Sequence, residues 1–216
     1  MFKTILLKRY LFLFLGLFFM GLGISLITRS SLGTPPISSM PYVLCLIFPV
    51  TFGELTFLFS LIFFLAEICI LKKDFPKNQY PQVFVGLLLG MFVDIGMIIS
   101  SSVYPLSYIW QLAVLLSGCV ILALGIYFQV SANVLMNPGE GLVQIIAVKT
   151  SIRFGIIKII FDSLLVSGAI FISLLSFGSL HGVREGTIIS AGLVGYIVIL
   201  INALLNKVNF KTWLTK

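Results

Sequence analysis

The sequence predicts an all-α, polytopic membrane helix bundle. Of its 216 residues, 59% are hydrophobic and 10% are charged, where a soluble domain carries roughly 25% charged residues. Several apolar runs reach the ~20 residues that a spanning helix needs. No run shows the alternating ~10-residue pattern of membrane barrel strands.

The elements follow in order. Lys3, Lys8 and Arg9 precede the apolar run Tyr10–Thr28, an arrangement that imitates a signal peptide. The run exceeds an h-region of ~7–15 residues and no A-x-A site follows, so it reads as a first span that is retained. Gly33-Thr34-Pro35-Pro36 then interrupts the apolar pattern, and a short segment, Pro36–Val50, follows. Phe52–Leu71, Val83–Val103 and Leu106–Val130 read as further spans. A second interruption, Met136-Asn137-Pro138-Gly139-Glu140-Gly141, leads into the short segment Pro138–Thr150, and the spans Phe154–Phe177 and Thr187–Leu205 close the chain. Proline at such a break stops one helix and pre-sets the first turn of the next. At about 1.5 Å per residue each short segment covers about 20 Å, less than the ~30 Å hydrocarbon core. The expectation is six spans plus two short re-entrant or interfacial helices.

The net charge of +7 fits this topology better than a nucleic-acid partner, because no basic stripe interleaved with aromatics is present. With the N-terminus cytoplasmic and the short segments not spanning, Lys3, Lys8, Arg9, Lys72, Lys73, Lys77, Lys149, Arg153, Lys158, Lys207, Lys211 and Lys216 fall at or near the inner face. Only Arg29 and Arg184 fall outside, which is the positive-inside bias. Both termini are expected in the cytoplasm. Cys45, Cys69 and Cys119 lie in apolar runs and read as buried small hydrophobes. With one histidine, His181, no transition-metal centre is expected, and no cofactor.

The chain reads as one membrane domain, 1–216, with an internal repeat. Shifting the sequence by 102 positions places Leu22-Gly23-Ile24 on Leu124-Gly125-Ile126, Pro36 on Pro138, Phe52-Gly53 on Phe154-Gly155 and Phe59 on Phe161; after a three-residue insertion Gly90 falls on Gly195. Repeat 1 covers about 10–105 and repeat 2 about 106–207. Three spans per repeat is odd, so the halves enter the membrane from opposite faces. That is the inverted-repeat plan in which substrate sites form where broken helices meet.

Ionisable groups at membrane depth are costly and mark function or close pairing. Asp94, midway along its span, is the deepest acid, and serves as a proton or cation site, as a partner to a buried base, or as a structural hydrogen bond between helices. Asp162 lies about two turns into its helix. Glu67, one turn from a cytoplasmic end, is expected to reach the interface, and Glu54 to sit near the outer face or cap its helix. Glu140, in the first turn of the second short helix, suits the positive helix end. Alternatively, Asn137, Glu140 and Gln144 line a cavity with the exposed amides of the break. Pro35, Ser38 and Tyr42 occupy the matching positions in repeat 1, so the chemistry is lopsided. Arg29 and Arg184 are solvated loop charges or an outer gate. The candidate substrate-binding set is thus Asn137, Pro138, Glu140, Gln144, Thr34, Pro36, Ser38, Asp94, Arg29 and Arg184. No nucleophile–base pair, Walker A or dinucleotide glycine signature is present, and no enzymatic activity is expected.

Taken together, Gly21-Leu22-Gly23-Ile24, Gly33-Thr34-Pro35-Pro36, Asn137-Pro138-Gly139-Glu140-Gly141 and Arg184-Glu185-Gly186-Thr187 resemble the YczE/YyaS/YitT group of bacterial integral membrane proteins, and most its YczE-like branch. The resemblance runs from the first helix to the last. It implies a bacterial cytoplasmic-membrane protein of five to six spans, with transport and accessory roles in secondary-metabolite production both proposed for the group, and carries over no catalytic residues.

The leading expectation is a small-solute transporter or permease, with a small polar or charged solute near the two breaks. The alternative is a non-transporting accessory protein that positions or regulates a cytoplasmic enzyme at the membrane through Lys72–Gln82 and Asn206–Lys216. A homo-oligomer is compatible with either reading, as is a substrate-binding subunit that borrows an energising module.

Overall fold

The computed structural model describes residues 2–206; Lys207, Lys211 and Lys216 of the basic C-terminal segment lie outside them. The described residues form eight α-helices: α1 Phe2–Arg29, α2 Pro36–Ile47, α3 Phe52–Leu71, α4 Gln82–Ile99, α5 Tyr108–Ala132, α6 Pro138–Thr150, α7 Phe154–Phe177 and α8 Glu185–Asn206. All but α2 and α6 are long and apolar enough to cross a membrane. The chain is a multi-pass, all-α membrane protein.

Local chemistry sets the helix ends. Both short helices start at a proline, Pro36 and Pro138, whose fixed φ suits the first helical position and whose missing N–H has no helical partner there. α2 stops at Ile47, three residues before the end of its apolar segment. Phe48 precedes Pro49 and is extended, with φ −105° and ψ 150°, as steric conflict with the proline ring requires. α3 opens with a capping box: the Thr51 hydroxyl accepts from the Glu54 N–H at 3.0 Å, and the Glu54 carboxylate accepts from the Thr51 N–H at 2.8 Å. Glu54 is thus a helix cap. α5 starts at Tyr108, behind Ser107, whose hydroxyl accepts from the Trp110 N–H.

The first layer of packing is the crossing of α1 and α5. Between lipid-facing helices there is no hydrophobic driving force, so association depends on close backbone approach over small residues. Here Gly16 and Gly23 of α1 and Gly118 and Gly125 of α5 supply it. A Cβ on Gly16 would stand 2.8 Å from the Gln129 amide nitrogen, one on Gly23 2.5 Å from that of Leu122, and one on Gly118 2.8 Å from that of Ile27. As the α1 numbers rise the α5 numbers fall, so the two helices are antiparallel. Leu13, Leu17, Met20, Ile24 and Ile27 are buried around this seam with Leu115, Cys119, Leu122 and Ala123. Of the three cysteines expected inside, only Cys119 is fully buried. Cys45 is half-buried and Cys69 is exposed, because an apolar span leaves one face to lipid and a small hydrophobe is at home on either side.

The rest of the packing is paired in the same sense. α2 and α6 begin 102 positions apart (36 and 138), as do α3 and α7 (52 and 154). α1 packs on α4 as α5 packs on α8; α2 packs on α7 as α6 packs on α3; α2 lies beside α3 as α6 lies beside α7. The starts of the short helices meet, since a Cβ on Gly139 would run into the Ile37 side chain. One pair breaks the pattern. α3 packs along α4, whereas α7 and α8 barely touch.

Candidate functional site

A cavity of about 560 Å³ occupies the place where α7 and α8 fail to close. Its inner wall is apolar, built from Met20 and Ile24 of α1, Leu89 of α4, and Leu122 and Ile126 of α5. Polar groups come from the short helices and their neighbours: Ser38 on α2, Thr56 and Ser60 on α3, Asn137 and Glu140 at the second break, Lys158 and Asp162 on α7, and Thr187 and Ser190 on α8.

Asn137 caps α6: its side-chain oxygen accepts from the Gly139 N–H at 3.5 Å. Glu140 follows in the first turn, where its carboxylate suits the positive helix end. It accepts no hydrogen bond from the described residues. Lys158 Nζ donates to Asp162 Oδ1 at 2.6 Å along one turn of α7, a spacing at which helical side chains meet. The charged groups on the cavity wall are therefore one directly bonded ion pair and the Glu140 carboxylate, which Lys158 attracts and Asp162 repels through space.

Glu140 also borders a second, smaller cavity of about 240 Å³, whose other walls include Gln79, Gln129, Asn133, Met136 and Gln144. Both polar atoms of the Gln129 side chain are buried without a hydrogen-bond partner. Leaving such atoms unpaired costs about 1–3 kcal/mol per group, which marks this small chamber as a polar place. Glu140 stands between the two cavities.

The breaks differ in what covers them. At the first, the Thr34 N–H donates to the Gly182 carbonyl at 3.0 Å, and the Gly186 N–H donates to the Leu32 carbonyl at 2.8 Å. The α7–α8 loop thus takes up polar backbone groups of the first break. Arg184 completes the seal, donating to the Ser31 carbonyl at 2.9 Å while it pairs with Glu185 at 3.0 Å. Among the described residues no loop hydrogen-bonds to the backbone of the second break in this way, and Asn133–Met136 line the smaller cavity instead.

The sequence-derived residues divide accordingly. Pro36, Ser38, Asn137 and Glu140 meet at the larger cavity; Gln144 joins Glu140 at the smaller one. Pro138 is buried beneath the break, and Thr34 and Arg184 belong to the seal over the first break. Arg29 reaches the Met97 carbonyl at 3.2 Å, near the end of α4. Asp94 is away from the cavity and holds the start of α3, accepting from the Gly53 N–H at 2.7 Å and the Thr51 hydroxyl at 2.6 Å. Of its readings, the geometry is that of the interhelical hydrogen bond.

Glu67 departs from expectation. Instead of reaching the interface it is 2% exposed and accepts from Gln82 Nε2 at 3.0 Å. A partner on another helix keeps it inside. Lys158 and Asp162 are absent from the sequence-derived set, the lysine because its charge alone places it at the inner face. Helical spacing of four and opposite sign are the signals that join them. Thr56, Ser60 and Ser190 carry no signal in the sequence, since isolated hydroxyls are common in spans, and Thr187 stands out there only as part of the Arg184-Glu185-Gly186-Thr187 motif. Among the described residues no three His, Cys, Asp or Glu side chains gather as metal ligands.

A family model matches the chain over residues 7–203. The chain belongs to the DUF6198 family. That family is described as one of unknown function. No curated protein and no solved structure matches this DUF6198 chain.

Proposed function

We propose that this DUF6198 protein is a small-solute transporter of the bacterial cytoplasmic membrane, with both termini in the cytoplasm, and that its solute binds in the larger cavity at Asn137 and Glu140. The observation that carries the reading is the position of Glu140, which borders both cavities. In the proposed topology Gln79 belongs to the cytoplasmic segment between α3 and α4, so the smaller cavity is the inner vestibule. Glu140 is then the thin partition between a membrane cavity and the cytoplasmic side. Broken helices that meet near the centre of a pseudo-symmetric bundle are where inverted-repeat transporters place their substrates. We read the resemblance of the chain's break motifs to the YczE/YyaS/YitT group as a common origin with it, and no catalytic role is assigned to any side chain.

Proteoliposome uptake of a panel of labelled small solutes tests this reading. Glu140→Gln and Asn137→Ala should each abolish uptake of the accepted solute while the protein still inserts and purifies normally. Uptake at the wild-type level by both variants would sink the assignment.

A further inference from the structure

We infer that the seam between α7 and α8 is a lateral portal to the lipid phase, and that the substrate is a membrane-soluble organic amine whose cationic head sits at Glu140 while its apolar body lies in the seam. This rests on the transporter reading above and names its substrate class.

The portal follows from the one place where the two halves differ. In repeat 1, α3 and α4 close over a glycine pair: a Cβ on Gly90 would stand 2.5 Å from the Gly53 carbonyl oxygen. Gly155 and Gly195, the counterparts, have nothing within 4 Å of where a Cβ would be. The seam that glycines close in one half is open in the other. Side chains at its mouth face both ways: Ile159 of α7 and Ile188 of α8 line the cavity and are also 68% and 78% exposed. Both flanking helices are spans, so what lies outside this mouth is lipid. An aqueous solute has no reason to be there; a molecule dissolved in the bilayer does.

The head group follows from charge. Glu140, Lys158 and Asp162 are the charged residues on the cavity wall, and Lys158 already pairs with Asp162 at 2.6 Å. The remaining carboxylate, Glu140, accepts no direct bond: Lys158 acts on it only through space, and Asp162 opposes that attraction, in surroundings of low dielectric where a counter-charge is worth most. A cation with N–H donors satisfies it, and an anion does not. The volume of about 560 Å³ falls in the range of drug-sized ligands, roughly 300–1,000 Å³.

The test uses the full chain in phosphatidylcholine nanodiscs and thermal unfolding with three probes: octylamine, ethylamine (the head alone) and 1-octanol (the tail alone). The variants are Glu140→Gln for the head site, and Gly195→Trp and Ile188→Trp for the seam. Both seam positions border open space, so the indole fits without disturbing the core, and two independent variants guard against one misfolding. Octylamine should raise the midpoint of the wild type, at concentrations at least tenfold below those at which ethylamine or octanol does. The shift should vanish in Glu140→Gln and need at least tenfold more octylamine in the seam variants. Ethylamine matching octylamine, or seam variants matching wild type, would overturn the lateral amine while leaving the Glu140 site in place. Octylamine acting equally on wild type and Glu140→Gln would overturn the site itself and this inference with it.

Discussion

The Gly53 N–H donates to Asp94 Oδ1 at 2.7 Å, fastening the first turn of α3 to the side of α4. The other carboxylate oxygen takes the Thr51 hydroxyl, which itself accepts the Glu54 N–H. One acid on α4 thereby supports the whole N-terminal cap of α3. Asp94→Ala should destabilise the protein by about 1.5–3 kcal/mol, the range for hydrogen bonds to a charged group. Asp94→Asn keeps an acceptor for Gly53 and should lose less. Thermal unfolding in detergent reads both, and solute affinity should be unchanged, because Asp94 does not line the cavity. A fully stable Asp94→Ala protein with lost affinity would return Asp94 to the binding site.

Gly141 is the contact that docks α6 on the Glu67–Gln82 pair. A Cβ there would stand 2.5 Å from Glu67 Oε1 and 2.7 Å from Gln82 Nε2. Gly141→Ala should therefore destabilise by about 1–3 kcal/mol through overpacking. Glu67→Ala alone should also destabilise, since it leaves the buried Gln82 amide without its acceptor. Combined, the two should cost clearly less than their sum, because removal of the carboxylate makes room for the new methyl. A double-mutant cycle measures that coupling, and strict additivity would refute the contact.

The difference between the halves predicts opposite outcomes for one substitution at equivalent sites. Gly90→Ala pushes a methyl group against the Gly53 carbonyl and should cost about 1–3 kcal/mol. Gly195→Ala meets open space inside a helix and should stabilise by up to ~0.5–1 kcal/mol, the usual penalty of a helical glycine. Equal losses at the two sites, seen by thermal unfolding, would mean that the α7–α8 seam is as closed as α3–α4.

How much of this architecture is legible in the sequence depends on how local the determining interaction is. Pro36 and Pro138 start helices because their own rings fix the backbone, so the residues alone place the two short helices. Phe154–Phe177 and Phe52–Leu71 are legible to the residue: Thr51 caps the start of α3, and Gly178, in the left-handed region, ends α7. Pro49 also announces the early end of α2, but the apolar run through Val50 masks it. Glu67 eludes a sequence reading because its burial depends on Gln82, fifteen residues away on another helix. The site is half visible: Asn137 and Glu140 mark themselves by following a proline break. Asp162 shows as an acid within a span, but its pairing with Lys158 is hidden, since a cation near a helix end ordinarily belongs to the membrane surface. The open seam cannot be read at all, because Gly53 and Gly155 look alike until their neighbours are known.

If Glu140 and its cavity hold the solute, binding must depend on that carboxylate. A thermal-shift screen of small organic cations, zwitterions and anions on purified wild-type protein, repeated on Glu140→Gln, measures this dependence. At least one cationic or zwitterionic compound should raise the wild-type midpoint in a saturable way and leave that of Glu140→Gln unmoved. A compound that stabilises both proteins equally, with the same half-saturating concentration, would show that the solute binds elsewhere.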